Sequence, residues 1–473
     1  MARIAVIGAG GFNFPIRLCR DVLYYQELKD ADFRLMDVHA GRNRRTFRII
    51  RDLIRAHRLP ATVSATTDLE RALEGADYVI VTWQVGGLEA YRWDVEIPRQ
   101  FGLDQPVGDT MGPGGIFRGL RSIPAYEEVA GAMKKVCPDA LMLNYANPMA
   151  INCLAINHMG IKCIGLCHSV QGTSRLLASE LGIPYEEMTF KVAGYNHQAW
   201  FTELVHKGRD AYPELRRVMD KRYPSPAQAS SGTRAGRVSR VDRDAGHGEV
   251  YHQEKVRTDI MRTFGYFHTE SSHHGSEYVP WFRKNAEMVG AYLDKRWDYY
   301  EICCAHDQAK QDEWVKGELL TKPLERSEEY ASIIIHAMES GVPQVVYGTV
   351  PNWGEPGSAP GLDRPLLIPN LPADSAVELA CLVDRNGIRP VAHGPLPTAC
   401  AAINRAGINV HQLTVEASTS GDPARVHQAV AMDPLTGALL TLPQIREMTD
   451  LMLRKERQWL PQFFGKGGRG KRA

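Results

Sequence analysis

Short apolar runs alternate with longer amphipathic stretches through the first 195 residues of the chain. Arg3–Ile7, Asp32–Met36, Ala61–Ser64, Asp77–Thr82, Ala140–Asn144 and Ile161–Leu166 read as strands. The run at 77–82 is apolar on both faces, as strands buried in a parallel sheet are. Helical patterning fills most of the intervals, beginning with about 15–28. This alternation predicts an α/β fold with a doubly wound, Rossmann-like parallel sheet. Beyond about residue 195 the pattern predicts longer helices and rarer strands, a mixed α+β domain. Polar, Gly- and Ser-containing segments at 223–248 and 351–363 read as loops, the first of them mobile. The last eight residues read as a basic disordered tail. The expected division is 1–195 for nucleotide, 196–465 for substrate and assembly, and 466–473 for the tail.

A length of 473 residues exceeds one ordinary core, which agrees with two packed domains. With 56 Lys+Arg against 55 Asp+Glu there is no field of one sign, so nucleic acid is not the expected partner. No apolar run approaches a membrane span, and the N-terminus lacks the long apolar region of a signal peptide. Nine cysteines at irregular spacing, Cys303 and Cys304 adjacent, suggest reduced thiols in the cytoplasm.

The first strand runs into Gly8-Ala-Gly10-Gly11-Phe12-Asn13. This is close to a dinucleotide fingerprint: the first glycine makes the turn, and the second lets backbone approach a pyrophosphate at a helix N-terminus. Asn13 stands where the third glycine would be. Asp37 ends the second strand, where a carboxylate binds the ribose 2′-OH and repels a 2′-phosphate. The expected cofactor is therefore NAD, lined by Gly8, Gly10, Gly11, Phe12, Asp37 and, from the 81–87 segment, Gln84.

Cys167 and His168 follow the strand at 161–166, where active sites of parallel sheets sit. His197 lies in a second turn, GYNHQAW. Thiolate and imidazole suit a borderline divalent metal, and two protein ligands leave positions for substrate and water. A buried thiol beside a hydrogen-bonded histidine fits the same spacing. Asp109, within GDTMGPGG, either caps the next helix or faces substrate. Asn144 and Asn147 either start a turn or bind a polyol. Asp259, His273, His274, Glu277 and Tyr278 lie further on, among aromatics that suit a sugar face or a core equally.

Taken together, NYANPMA, GLCHSVQGT and GYFHTESSHHGSEYVPWF resemble the NAD- and manganese-dependent glycoside hydrolases of family 4, over nearly the whole chain. The closest branch is the bacterial α-galactosidases, with α-galacturonidases and α-glucosidases as alternatives. The resemblance implies a lactate/malate dehydrogenase-like superfold and cleavage of terminal α-glycosides. It implies transient oxidation at sugar C3, C2 proton abstraction, elimination and water addition, an exception to the two-carboxylate scheme. It places Mn²⁺, or another divalent metal, on Cys167 and His197, the acid on His168, and substrate contacts on Asp109 and Asn147. It makes Asp259 the base, with Tyr266 and Tyr278 as weaker candidates. It also implies a homodimer or homotetramer. A hydroxy-acid dehydrogenase would share the nucleotide fold but needs no Cys–His metal pair.

Overall fold

The computed structural model describes residues 1–11, 13–225, 253–293, 299, 317, 320, 322–358 and 365–464. Phe12, most of the 223–248 loop, the end of the 351–363 loop, Cys303, Cys304 and the 466–473 tail lie outside the described residues. Among the described residues, no helix is long and apolar enough to cross a membrane.

Six strands form a parallel half-sheet: β1 (Arg3–Ile7), β2 (Asp32–Met36), β3 (Thr62–Thr66), β4 (Tyr78–Val81), β5 (Leu141–Asn144) and β6 (Cys163–Gly165). Their order is β3-β2-β1-β4-β5-β6, every pair parallel. This is the doubly wound dinucleotide order, with its switch point between β1 and β4. The apolar strands β4 and β5 are buried along their whole length, as two covered faces require. Between and after these strands lie α1 (Phe14–Tyr24), α2 (Ala40–Ala56), α3 (Leu69–Leu73), α4 (Gly87–Gln100), α5 (Gly112–Val136), α6 (Met149–His158) and α7 (Ser169–Leu181).

The second half is richer in strands than its sequence pattern suggests. β7 (Met188–Tyr195), β8 (Gln198–His206), β9 (Arg209–Asp210), β10 (Phe267–His268), β11 (Gln344–Pro351), β12 (Ala376–Asp384) and β13 (Gly387–Pro390) all pair antiparallel. Pro351, the first residue of the segment read as the second loop, is instead the last residue of β11, and Gly194 and Gly348 are likewise strand residues in paired positions. Gly348 is needed there because a Cβ would lie 2.4 Å from the Ile164 side chain of the neighbouring β6. β11 joins β6 through Thr349↔Gly165, so one sheet continues from the parallel half into the antiparallel half. That continuity carries the β7–β8 hairpin and the segment after β10 to the neighbourhood of the parallel strands' C-terminal ends.

Candidate active site

The loop after β1 is held by its own backbone. The Gly8 and Ala9 amides donate to Met36 O at 2.9 and 3.0 Å, and Gly11 N donates to Gly8 O at 3.1 Å. Gly8 has φ +85°, and a Cβ there would sit 2.8 Å from Trp83 N. Only glycine gives this left-handed turn beside a neighbouring backbone at low cost. Asp37 accepts from Gly10 N at 2.9 Å and His39 N at 2.7 Å, so it shapes the loop as well as edging the crevice. Gln84 donates to Gly87 O at 2.9 Å and fixes the turn after β4. The cradle fits a dinucleotide: glycines where a Cβ would collide, a helix N-terminus behind them, and a carboxylate at the end of β2.

Cys167 and His168 form the turn between β6 and α7, with Leu166 N bonded to Asn144 O at 2.8 Å. His197 belongs to the two-residue turn of the β7–β8 hairpin, whose last pair is Tyr195↔Gln198. Cys167 Sγ lies 3.2 Å from His197 Nε2. Glu270, two residues beyond β10, brings a carboxylate oxygen within 3.6 Å of the same nitrogen. One ligand atom from each of the three lies within 4.8 Å of the others. His197 and Glu270 are both non-glycine residues with positive φ, +70° and +71°. Such backbone costs about 1–2 kcal/mol per residue and persists where the surroundings dictate it, often at functional sites.

The electrostatics suit a soft or borderline cation. Burial lowers the pKa of His197, against the charges of Glu270 and Asp109, and so favours the neutral imidazole that a ligand must be. Burial raises the Cys167 thiol, against the charge of His168, so in the free protein it favours the protonated form. Burial would also raise Glu270, but His197, then the hydrogen bond and charge of His274, then His168 hold it well below the usual carboxylate range. Thiol and imidazole form a donor pair for a divalent metal of intermediate softness, with the Glu270 carboxylate beside it.

A charged network backs this group. His274 Nε2 lies 3.4 Å from Asp109 Oδ1, and its Nδ1 lies 3.7 Å from Glu270 Oε1. Burial alone would lower His274, but the hydrogen bonds and charges of Asp109 and Glu270 raise it to about 10. Asp109 is held well below its ordinary value: His274, Arg118 and His197 together overcome its desolvation. Tyr278 OH contacts His197 Nδ1 at 3.0 Å and His274 Nε2 at 3.1 Å, fixing both rings from behind. Asn147 Nδ2 donates to Asp109 Oδ2 at 3.0 Å. Asp109 does not cap α5, whose N-cap is Met111.

His168 stands at the N-cap of α7 with 55% of its side chain open, its Nδ1 3.4 Å from Glu329 Oε1. Local crowding lowers its pKa; Glu329 first, then Cys167 and Glu270, overcome that and raise it, softened by solvent on the open side.

Other expected residues are placed elsewhere. Asp259 pairs with Arg262 at 2.9 Å and accepts from the Tyr292 hydroxyl at 2.5 Å. It lies on the helix Lys255–Phe264, where the buried positions are Val256, Arg257, Thr258, Ile260 and Met261. Helical phase therefore turns Asp259 toward its i+3 arginine, and it is not part of the Cys167–His197–Glu270 group. Tyr266 packs edge-on against Tyr212 at 5.8 Å. Glu277 accepts from Val107 N and Gly108 N, both at 2.9 Å, and so anchors the glycine-rich loop. Asn144 is spent on Tyr126 OH at 2.6 Å and Ala146 N at 3.0 Å, which leaves Asn147 facing Asp109.

Three carboxylates escaped the sequence reading: Glu270, Glu329 and Glu378. The only local hint was Glu270 within the TESSHH segment. Glu329 and Glu378 sit in ordinary amphipathic contexts, and only the folded chain brings them near His168 and His197.

A family 4 glycosyl hydrolase model matches residues 3–183, and the model of its C-terminal domain matches 192–436. The chain is 36% identical to an α-galactosidase of Rhizobium meliloti over 474 residues, covering 98% of this chain and 89% of that one. It is 35% identical to an α-galactosidase of Bacillus subtilis over 470 residues, covering 98% and 100%. Among solved structures, a 6-phospho-α-glucosidase from gut microorganisms, in complex with NAD and Mn²⁺, shares the fold with a TM-score of 0.75 at 21% identity, covering 97% and 99%.

Proposed function

This chain belongs to family 4 of the glycosyl hydrolases, and on that premise we propose that it hydrolyses terminal α-galactosides. It is a glycosidase, and its likeness over nearly full length to two α-galactosidases supports the sugar. The observation that carries the reading is the convergence of Cys167, His197 and Glu270 beside a dinucleotide-type glycine loop in one continuous sheet. Residues 1–195 supply the nucleotide side and 196–465 the remainder.

NAD would lie on Gly8, Gly10 and Gly11 with Asp37, and Mn²⁺ on Cys167 and His197. When bound they supply reversible hydride acceptance at C3 and Lewis acidity toward the oxygens on C2 and C3. Glu270, ionised and facing both proposed ligands, takes the C2 proton in place of Asp259. His274, charged between Asp109 and Glu270, keeps both carboxylates ionised. Asp109 and Asn147 orient the sugar hydroxyls. His168 holds the proton that goes to the glycosidic oxygen. The seven described cysteines are free thiols, which supports a reducing, cytoplasmic setting. The assembly proposed is the dimer or tetramer that the family resemblance implies.

The test is a panel of p-nitrophenyl α-galactoside, α-glucoside and α-galacturonide, each with and without NAD, Mn²⁺ and reductant. Cleavage of the galactoside only when both additions are present is the expected result. Hydrolysis that survives chelator and NAD removal overturns the mechanism, and a faster uronide overturns the substrate.

A further inference from the structure

We propose that Glu329 is a positioning residue for His168, fixing which ring nitrogen faces the substrate, and that α1 holds Glu329 in place. The inference rests on the assignment of His168 as the acid.

The Glu329 side chain is 3% exposed, and its Oε1 lies 3.4 Å from His168 Nδ1. The same oxygen lies 3.6 Å from Arg17 NH1. Arg17 and Asp21 are one turn apart on α1, the helix that the glycine loop opens. Asp21 grips the segment before Glu329: it accepts from Ser327 N at 2.8 Å and from the Ser327 hydroxyl. Ser327 Oγ in turn accepts from Glu329 N at 3.3 Å. On the other side, Ala331 N donates to Tyr145 OH at 3.0 Å. The carboxylate is thus held by α1 on one side and by the segment after β5 on the other. A buried carboxylate is a weak device for stability, because desolvation consumes most of the ion-pair gain. Its geometry suits another task.

With Nδ1–H directed at Glu329, the proton to be transferred is carried on Nε2 of the half-open ring. A carboxylate behind a histidine fixes tautomer and orientation without itself taking the proton. As the C1–O bond breaks, its electron pair stays on the glycosidic oxygen, which receives the Nε2 proton. His168 is left neutral with Nδ1–H still on Glu329. In the return step a water adds to C1 and gives its proton to Nε2, so protons balance over the cycle. Because Arg17 and Asp21 stand on the helix behind the nucleotide loop, the orientation of the acid and the shape of the cofactor site share one support.

The experiment compares Glu329→Gln and His168→Ala in the NAD- and Mn²⁺-loaded enzyme, using methyl and 2,4-dinitrophenyl α-galactosides. The activated phenolate leaves without a proton, whereas the alkoxide requires one. Glu329→Gln should lower kcat for the methyl galactoside by about 10–100-fold. It should leave the dinitrophenyl galactoside within about threefold and KM nearly unchanged; Glu329→Asp should recover part of the loss. An equal fall on both substrates in Glu329→Gln, with leaving-group dependence retained in His168→Ala, overturns the positioning role alone. Absence of leaving-group dependence in His168→Ala overturns the acid assignment instead. Should Glu329→Gln fail to fold, Arg17→Gln carries the test: a smaller selective loss on the methyl galactoside supports the proposal, and a uniform one overturns it.

Discussion

Glu378 provides a quantitative check on the electrostatics around His197. It lies on β12 with 0% exposure, and among the described residues neither carboxylate oxygen has a partner in hydrogen-bond geometry. Burial raises its pKa from 4.5 to about 7; His197 and Asn196 pull against that rise, and Glu270 adds to it. The sign follows from linkage. A carboxyl with a raised folded-state pKa binds its proton more tightly in the native state, so stability is full below pH 4.5 and is lost as pH climbs to about 7. A shift of this size corresponds to about 3 kcal/mol. Glu378→Gln keeps the volume and removes the titration. For a chain of 473 residues the unfolding entropy is about 1 kcal/mol/K, so the variant should melt about 3 °C above the parent at pH 8. At pH 4.5 the two should coincide within about 1 °C. The assay is differential scanning calorimetry at fixed protein concentration, without dinucleotide and with excess chelator, so that no ligand offsets the buried charge. A melting difference equal at both pH values, or a parent more stable than the variant at pH 8, would refute the reasoning.

Other consequences follow from the same geometry. Gly8→Ala forces a Cβ to 2.8 Å from Trp83 N at φ +85°, so NAD affinity measured by fluorescence titration should fall by at least tenfold; unchanged affinity would remove this loop from the cofactor site. Glu270→Gln should abolish exchange of the C2 hydrogen with solvent, by about 10²-fold or more, with Mn²⁺ affinity held within about threefold. Loss of Mn²⁺ binding in that variant would make Glu270 a ligand rather than the base. Arg121, fully buried between Asp94 at 2.7 Å and Glu456, should cost about 3–5 kcal/mol when changed to Ala, since the buried Asp94–Glu456 pair loses its counter-ion. The corresponding drop in melting temperature is about 3–5 °C, and a drop below about 1 °C would show that solvent or rearrangement satisfies the pair.

The residues themselves determined whatever depends on neighbours in the chain. Apolar runs marked β1, β4, β5 and β6, because a strand buried on both faces must be apolar on both. The glycine loop was legible because a left-handed turn against backbone tolerates little else, and Asp37 followed at the end of β2. Cys167 and His168 were legible as the turn after a parallel strand. Their division into proposed ligand and acid came from family likeness, since spacing alone left a plain buried thiol open.

Long-range pairing decided the rest. β7, β8, β11 and β12 carry glycine, proline and polar residues whose tolerance depends on the strand alongside, so the second half's sheet was invisible to local pattern. Glu270 reaches the group because β10 pairs with β8, Phe267 opposite Phe201. Asp259, only eleven residues earlier, is turned away by helical phase. Glu329 comes to His168 from a segment tied to α1, and Glu378 comes toward His197 from β12 across the sheet. An unpaired carboxylate is cheap in an unfolded chain and becomes costly or useful only once burial removes water. The sequence therefore determined the nucleotide frame and, with the family likeness, half of the proposed metal site, and only the tertiary structure decided which carboxylates surround it.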